Sequence, residues 1–107
     1  MKAAIWTEPN KLEMRDIPQP KAIKGEVVIK VLGCGVCGTD CHIFAGEVPL
    51  AQPPQVLGHE IFGEVYELGE GATTFKKGDK VSVNPVVGCG VCDQCKEGKT
   101  NLCIKPT

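Results

Sequence analysis

The sequence predicts a mainly β domain, a small and partly open barrel of short strands joined by short helices. Three observations carry that expectation. β-branched or alternating runs recur between proline- and glycine-rich corners. Only one stretch, Gly38 to Phe44, is free enough of breakers to form a short helix. From Gly88 to Cys103 the apolar pattern fails and closely spaced cysteines replace it.

Lys2–Trp6 and Lys11–Ile17 flank Glu8, Pro9 and Asn10, which reads as strand, turn and strand, a hairpin. After Pro18, Pro20 and Gly25, the run Glu26–Leu32 is β-branched and nearly continuous, as expected of a buried strand. Thr39 or Asp40 is placed to cap the short helix, which Gly46 would end. The proline-rich loop Glu47–Gln55 then leads to Gly58, His59 and Glu60, setting the histidine at the mouth of a strand over Ile61–Leu68. Lys77–Asp79 is a turn, and Lys80–Asn84 alternates as a half-buried strand does.

The chain has 107 residues, enough for one domain and one modest core but not two. With 12 basic against 13 acidic residues, it lacks the one-signed charge that nucleic acid or anionic lipid would require. No apolar run approaches membrane-spanning length, and the apolar stretch Ala3–Trp6 is too short for a secretory signal. Seven cysteines, an odd number without such a signal, favour a reducing, cytoplasmic setting and metal thiolates over a disulfide framework.

Cys89, Cys92, Cys95 and Cys103 form C-x2-C-x2-C-x7-C in a loop with almost no residue able to build a core. Such a loop needs a cross-link. Four thiolates around zinc provide one, closed and tetrahedral, with bonds of about 2.3 Å. Gly88 and Gly90 allow the tight backbone this requires. Iron–sulfur ligation is the rival, but its usual run brings the fourth cysteine after three residues and a proline after that, whereas here seven residues intervene and Ile104 follows.

A second group, Cys37, His59 and Glu60, lies where one strand ends and another begins, so sulfur, imidazole and carboxylate can converge. Three protein ligands leave a zinc position open, the mark of a catalytic ion. On these residues alone a structural histidine, or a redox C-x-x-C formed by Cys34 and Cys37, is an equal reading.

G-C-G-V-C-G-T-D-C-H at Gly33–His42, G-H-E-x-x-G at Gly58–Gly63, G-D-x-V at Gly78–Val81 and the four-cysteine loop occur in an order that resembles zinc-dependent medium-chain alcohol dehydrogenases. The sorbitol, butanediol and threonine dehydrogenase branches are the most similar. The resemblance covers essentially the whole chain and implies a GroES-like domain over 1–107, cut off before the nicotinamide-binding Rossmann domain. It implies a catalytic zinc on Cys37 and His59, with Glu60 either the third ligand, as in polyol dehydrogenases, or a nearby carboxylate that exchanges with water, and a structural zinc on the four cysteines, two ions per chain. Thr39 matches the hydroxyl that contacts the substrate oxygen, and His42 a later member of a proton relay. Asp40 would orient His59, and Phe44 would line the substrate pocket. Cys34 and Cys41 match no ligand position.

The implied activity is oxidation of an alcohol or polyol by hydride transfer to NAD or NADP in a larger parent enzyme, a homodimer or homotetramer. Gly33, Gly35 and Gly38 spell G-x-G-x-x-G, but no βαβ unit and no acidic residue some twenty positions on accompany them, so no cofactor-binding residue is assigned here. The isolated chain is therefore expected to be inactive. The alternative is a non-catalytic zinc-binding or co-chaperonin-like module.

Overall fold

The computed structural model describes residues 1–106. Two antiparallel strands, β1 (Lys2–Glu8) and β2 (Lys11–Asp16), form the expected hairpin. Its turn uses Asn10 at φ 64°, a left-handed conformation that asparagine tolerates because its short side chain can bond locally. A second sheet runs in the order β3 (Val27–Gly35), β4 (Glu60–Leu68) and β5 (Lys80–Ser82), antiparallel throughout. The two sheets do not close on one another, so the mainly β, partly open form is present without a complete barrel.

A small core fastens the hairpin to the rest. Ile5, Trp6, Ile43 and Val65 are its buried apolar residues. Trp6 is 2% exposed; its indole N–H donates to the Phe44 carbonyl at 3.1 Å, and its backbone exchanges two hydrogen bonds with Gln55. The Asn10 N–H donates to the same Phe44 carbonyl at 2.8 Å. The C-terminal end of helix α1 (Gly38–Phe44) is thereby tied to β1 and to the turn of the hairpin. Truncating Trp6 to alanine would remove the packing and this bond together, a loss of about 3–5 kcal/mol.

Three expectations need correction. The run read as a fully buried strand is half-buried over Val27–Ile29 and exposed over Lys30–Leu32, because β4 pairs with its edge and no described element covers its face. The strand also extends through Cys34 to Gly35. Neither Thr39 nor Asp40 is the N-cap of α1: Cys37 is, and Asp40 sits at the third helical position, accepting from the Cys37 N–H at 3.0 Å. The strand expected over Lys80–Asn84 is shorter, β5 covering Lys80–Ser82 only; beyond it the cysteine loop contains helix α2 (Asp93–Lys96) and a 3₁₀ turn at Thr100–Leu102.

Candidate metal centres

Strand register builds the first site. Gly35 lies opposite Glu60 across the β3–β4 pair, so Cys37, just beyond the end of β3, and His59, just before β4, reach the same edge of the sheet. The ligand atoms of Cys37, His59 and Glu60 lie within 4.8 Å of one another. Asp40 links two of these residues. One carboxylate oxygen accepts from the Cys37 N–H at 3.0 Å, and the other lies 3.0 Å from His59 Nδ1. With the proton on Nδ1, His59 donates to Asp40 and presents the Nε2 lone pair to the cluster. Asp40 is only 14% exposed and His59 31%, which strengthens this bond relative to a surface pair.

The donor set suits an ion with an open position, and the backbone makes room for it. A Cβ on Gly35 would fall 2.5 Å from Glu60 Oε2, so that glycine leaves the space that the carboxylate occupies. Composition and spacing alone gave no sign of this role; the strand register reveals it.

Cys89, Cys92, Cys95 and Cys103 also have sulfurs within 4.8 Å of one another, compared with an S···S edge of about 3.8 Å in a tetrahedral zinc thiolate. Backbone N–H groups point at the sulfurs: Cys89 and Lys105 donate to Cys103 at 3.3 Å, and Cys92 donates to Cys89 at 3.4 Å. Backbone donors on Cys95 and Ile104 hold the Cys92 thiol down to about 6. The Cys103 thiol is also lowered, chiefly by the Cys89 N–H. The Gly90 N–H lowers Cys95, but burial and hydrogen bonds with Cys92, Cys103 and Cys89 outweigh it and push that thiol up to about 11. Negative charge therefore gathers on part of a cluster that a divalent cation would neutralise. Gly88 acts differently from the sequence expectation, since a Cβ there would fall 2.7 Å from Cys95 Sγ, so it makes room for a sulfur. Gly90 does adopt a left-handed φ of 74°.

The remaining candidates lie on or beside α1. Thr39 is half-buried in its first turn. His42 is exposed and pairs through Nδ1 with Glu47 at 2.6 Å, a partner that sequence reading missed because it lies beyond the helix. Phe44 lines an open apolar cavity of about 370 Å³ with Leu12, Val36, Leu57 and the two unassigned cysteines, Cys34 and Cys41. Those two cysteines join neither cluster. Gly33–Gly35 of the literal G-x-G-x-x-G lies inside β3, and every described strand pair is antiparallel, so the βαβ setting of a dinucleotide fingerprint is missing among the described residues.

An open antiparallel β domain with a Cys–His–Glu cluster and a separate four-cysteine lobe offers two donor sets of the kinds that suit zinc. Comparison with known proteins narrows this. Residues 23–107 match the family model described as "Alcohol dehydrogenase GroES-like domain", and the chain belongs to that family. It is 46% identical over 105 residues to the starvation-sensing protein RspB of Escherichia coli, covering 96% of this chain and 30% of that protein. It is 41% identical over 106 residues to the sorbitol dehydrogenase of Bacillus subtilis, with coverage of 96% and 30%. A zinc-binding dehydrogenase of Sinorhizobium meliloti, solved with NADP bound, superposes with a TM-score of 0.86 at 35% identity over 98% of this chain and 30% of that one. The chain thus spans about 30% of the length of these relatives. No helix among the described residues is long and apolar enough to cross a membrane.

Proposed function

We propose that this chain is the alcohol-binding, zinc-bearing part of an NAD- or NADP-dependent alcohol or polyol dehydrogenase. The observation that carries the reading is Asp40, which bonds both Cys37 and His59 and so fixes two ligands of one open centre. Cys37, His59 and Glu60 would hold one zinc, and Cys89, Cys92, Cys95 and Cys103 in a lobe over about 86–107 would hold a second. When bound, the first zinc supplies Lewis acidity that lowers the pKa of an alcohol hydroxyl towards neutrality.

The chain's own groups then have distinct tasks. Asp40 keeps the His59 proton on Nδ1. Thr39 contacts the alcohol oxygen, accepts its proton and passes its own towards His42, three residues on and on the same side of α1. Glu47 holds the His42 ring at the exposed end of that path. Phe44 packs against the carbon skeleton of the substrate. NAD or NADP, when bound, would supply the hydride acceptor, in a homo-oligomeric, cytoplasmic enzyme.

Cobalt(II) substitution tests the reading without requiring turnover. The cobalt-loaded chain should change its visible absorption on titration with sorbitol or ethanol, and Cys37→Ser should abolish the response. A loaded centre whose spectrum ignores every alcohol and polyol would contradict it.

A further inference from the structure

β2 is an open edge. Each of its residues except Glu13 is exposed, including Leu12 at 53% and Met14 at 69%, and none of Lys11–Asp16 makes a backbone hydrogen bond to any element but β1. Its outward N–H and C=O groups thus form an unfilled ladder, the feature that recruits another strand. Of the other free edges, β5 is only three residues long. β3 is longer but carries a single charged residue, Lys30, and so specifies no register for a partner.

The sequence of β2, K-L-E-M-R-D, favours one of the two registers that pair five residues of each strand. If a second copy pairs antiparallel about a two-fold axis perpendicular to the sheet, facing residues must lie on the same face, so the axis passes through a residue position. Centred on Glu13, the register sets Glu13 against Glu13 and Lys11 against Arg15, like charge facing like. Centred on Met14, it sets Glu13 against Arg15 twice, with Met14 against Met14 between them. Leu12, on the Met14 face, then stands opposite Asp16 of the other copy and diagonal to its Met14. Within one chain Glu13 already bonds Arg15 through two nitrogens, with Lys11 3.4 Å away, so these groups are extended along the strand where a partner would meet them.

We propose that β2 is a self-association edge, at which two copies of this chain pair their Lys11–Asp16 strands antiparallel with Glu13 of each opposite Arg15 of the other. The contact is one strand wide, which places it among weak interfaces. Association is therefore expected only at high protein concentration.

Sedimentation equilibrium of the zinc-loaded chain over graded concentrations tests this. Glu13→Arg or Arg15→Glu alone turns both cross-strand pairs repulsive and should weaken association about tenfold or more. An equimolar mixture of the two variants should associate at least as well as the unaltered chain, because each then faces its opposite across the axis. That recombination separates the interface from the pair within one chain, which both single variants lose equally. Circular dichroism and zinc content, unchanged in each variant, establish that both are folded. The proposal is overturned by a chain that stays monomeric up to about 1 mM. It is equally overturned by association that neither variant weakens, or by single variants that dissociate and do not recombine when mixed.

Discussion

Replacing Cys95 by serine should unfold the cysteine lobe while leaving the β3–β4–β5 sheet intact. Helix α2 and the 3₁₀ turn together order seven residues, and neither contains a buried side chain. At about 1.5 kcal/mol per residue, ordering their backbone costs roughly 10 kcal/mol. Apolar burial offsets almost none of it, since Val91, Leu102 and Ile104 are 73%, 57% and 74% exposed. Zinc binding by four thiolates contributes about 10–16 kcal/mol, enough to order the lobe with little to spare. Removing one of four ligands should sacrifice roughly a quarter of that, about 3–4 kcal/mol, and weaken zinc a few hundredfold. Amide hydrogen exchange reads the result: protection in residues 88–106 should collapse in Cys95→Ser, or in the native chain after chelation, while β3 and β4 keep theirs. A lobe still protected without metal would refute the argument, because nothing else in it can supply the missing stabilisation.

Other outcomes follow from the first centre and the sheet. Asp40→Asn should weaken zinc at Cys37, His59 and Glu60 by about 10- to 100-fold in chelator competition, leaving the four-cysteine site unchanged. Gly35→Ala should displace the Glu60 carboxylate, 2.5 Å from the new methyl group, and lower affinity there by about tenfold; unchanged affinity would mean that Glu60 holds no ion. On β4, the hydrogen bond and charge of Lys80 hold the Glu64 carboxyl below its ordinary 4.5. Its folded value is depressed, so its contribution is present above pH 4.5 and is lost as pH falls through the lowered value. Exchange of the β5 amides should quicken over that acid range, and Lys80→Met should remove the dependence.

Much of this arrangement was legible in the residues. Hairpin, helix and strands follow from breakers at Pro9, Gly25 and Gly46 and from β-branched runs, and the cysteine spacing marks the lobe. Burial was not legible: an apolar run such as Val27–Leu32 shows that a surface is sticky but not whether anything covers it. The roles of Gly35 and Gly88 stayed hidden because they depend on what lies across a strand or a loop, which only register and loop closure determine. Asp40 was read as orienting His59, but its second bond, to the Cys37 N–H, comes from the capping geometry of α1.

The central claim is that this small β domain carries two independent zinc centres of different kinds. Elemental analysis of reduced, purified protein is its most direct test. Two zinc ions per chain are expected, one lost in Cys37→Ser and the other in Cys103→Ser, each without the other. A single ion, none, or both lost together on one substitution would contradict the account.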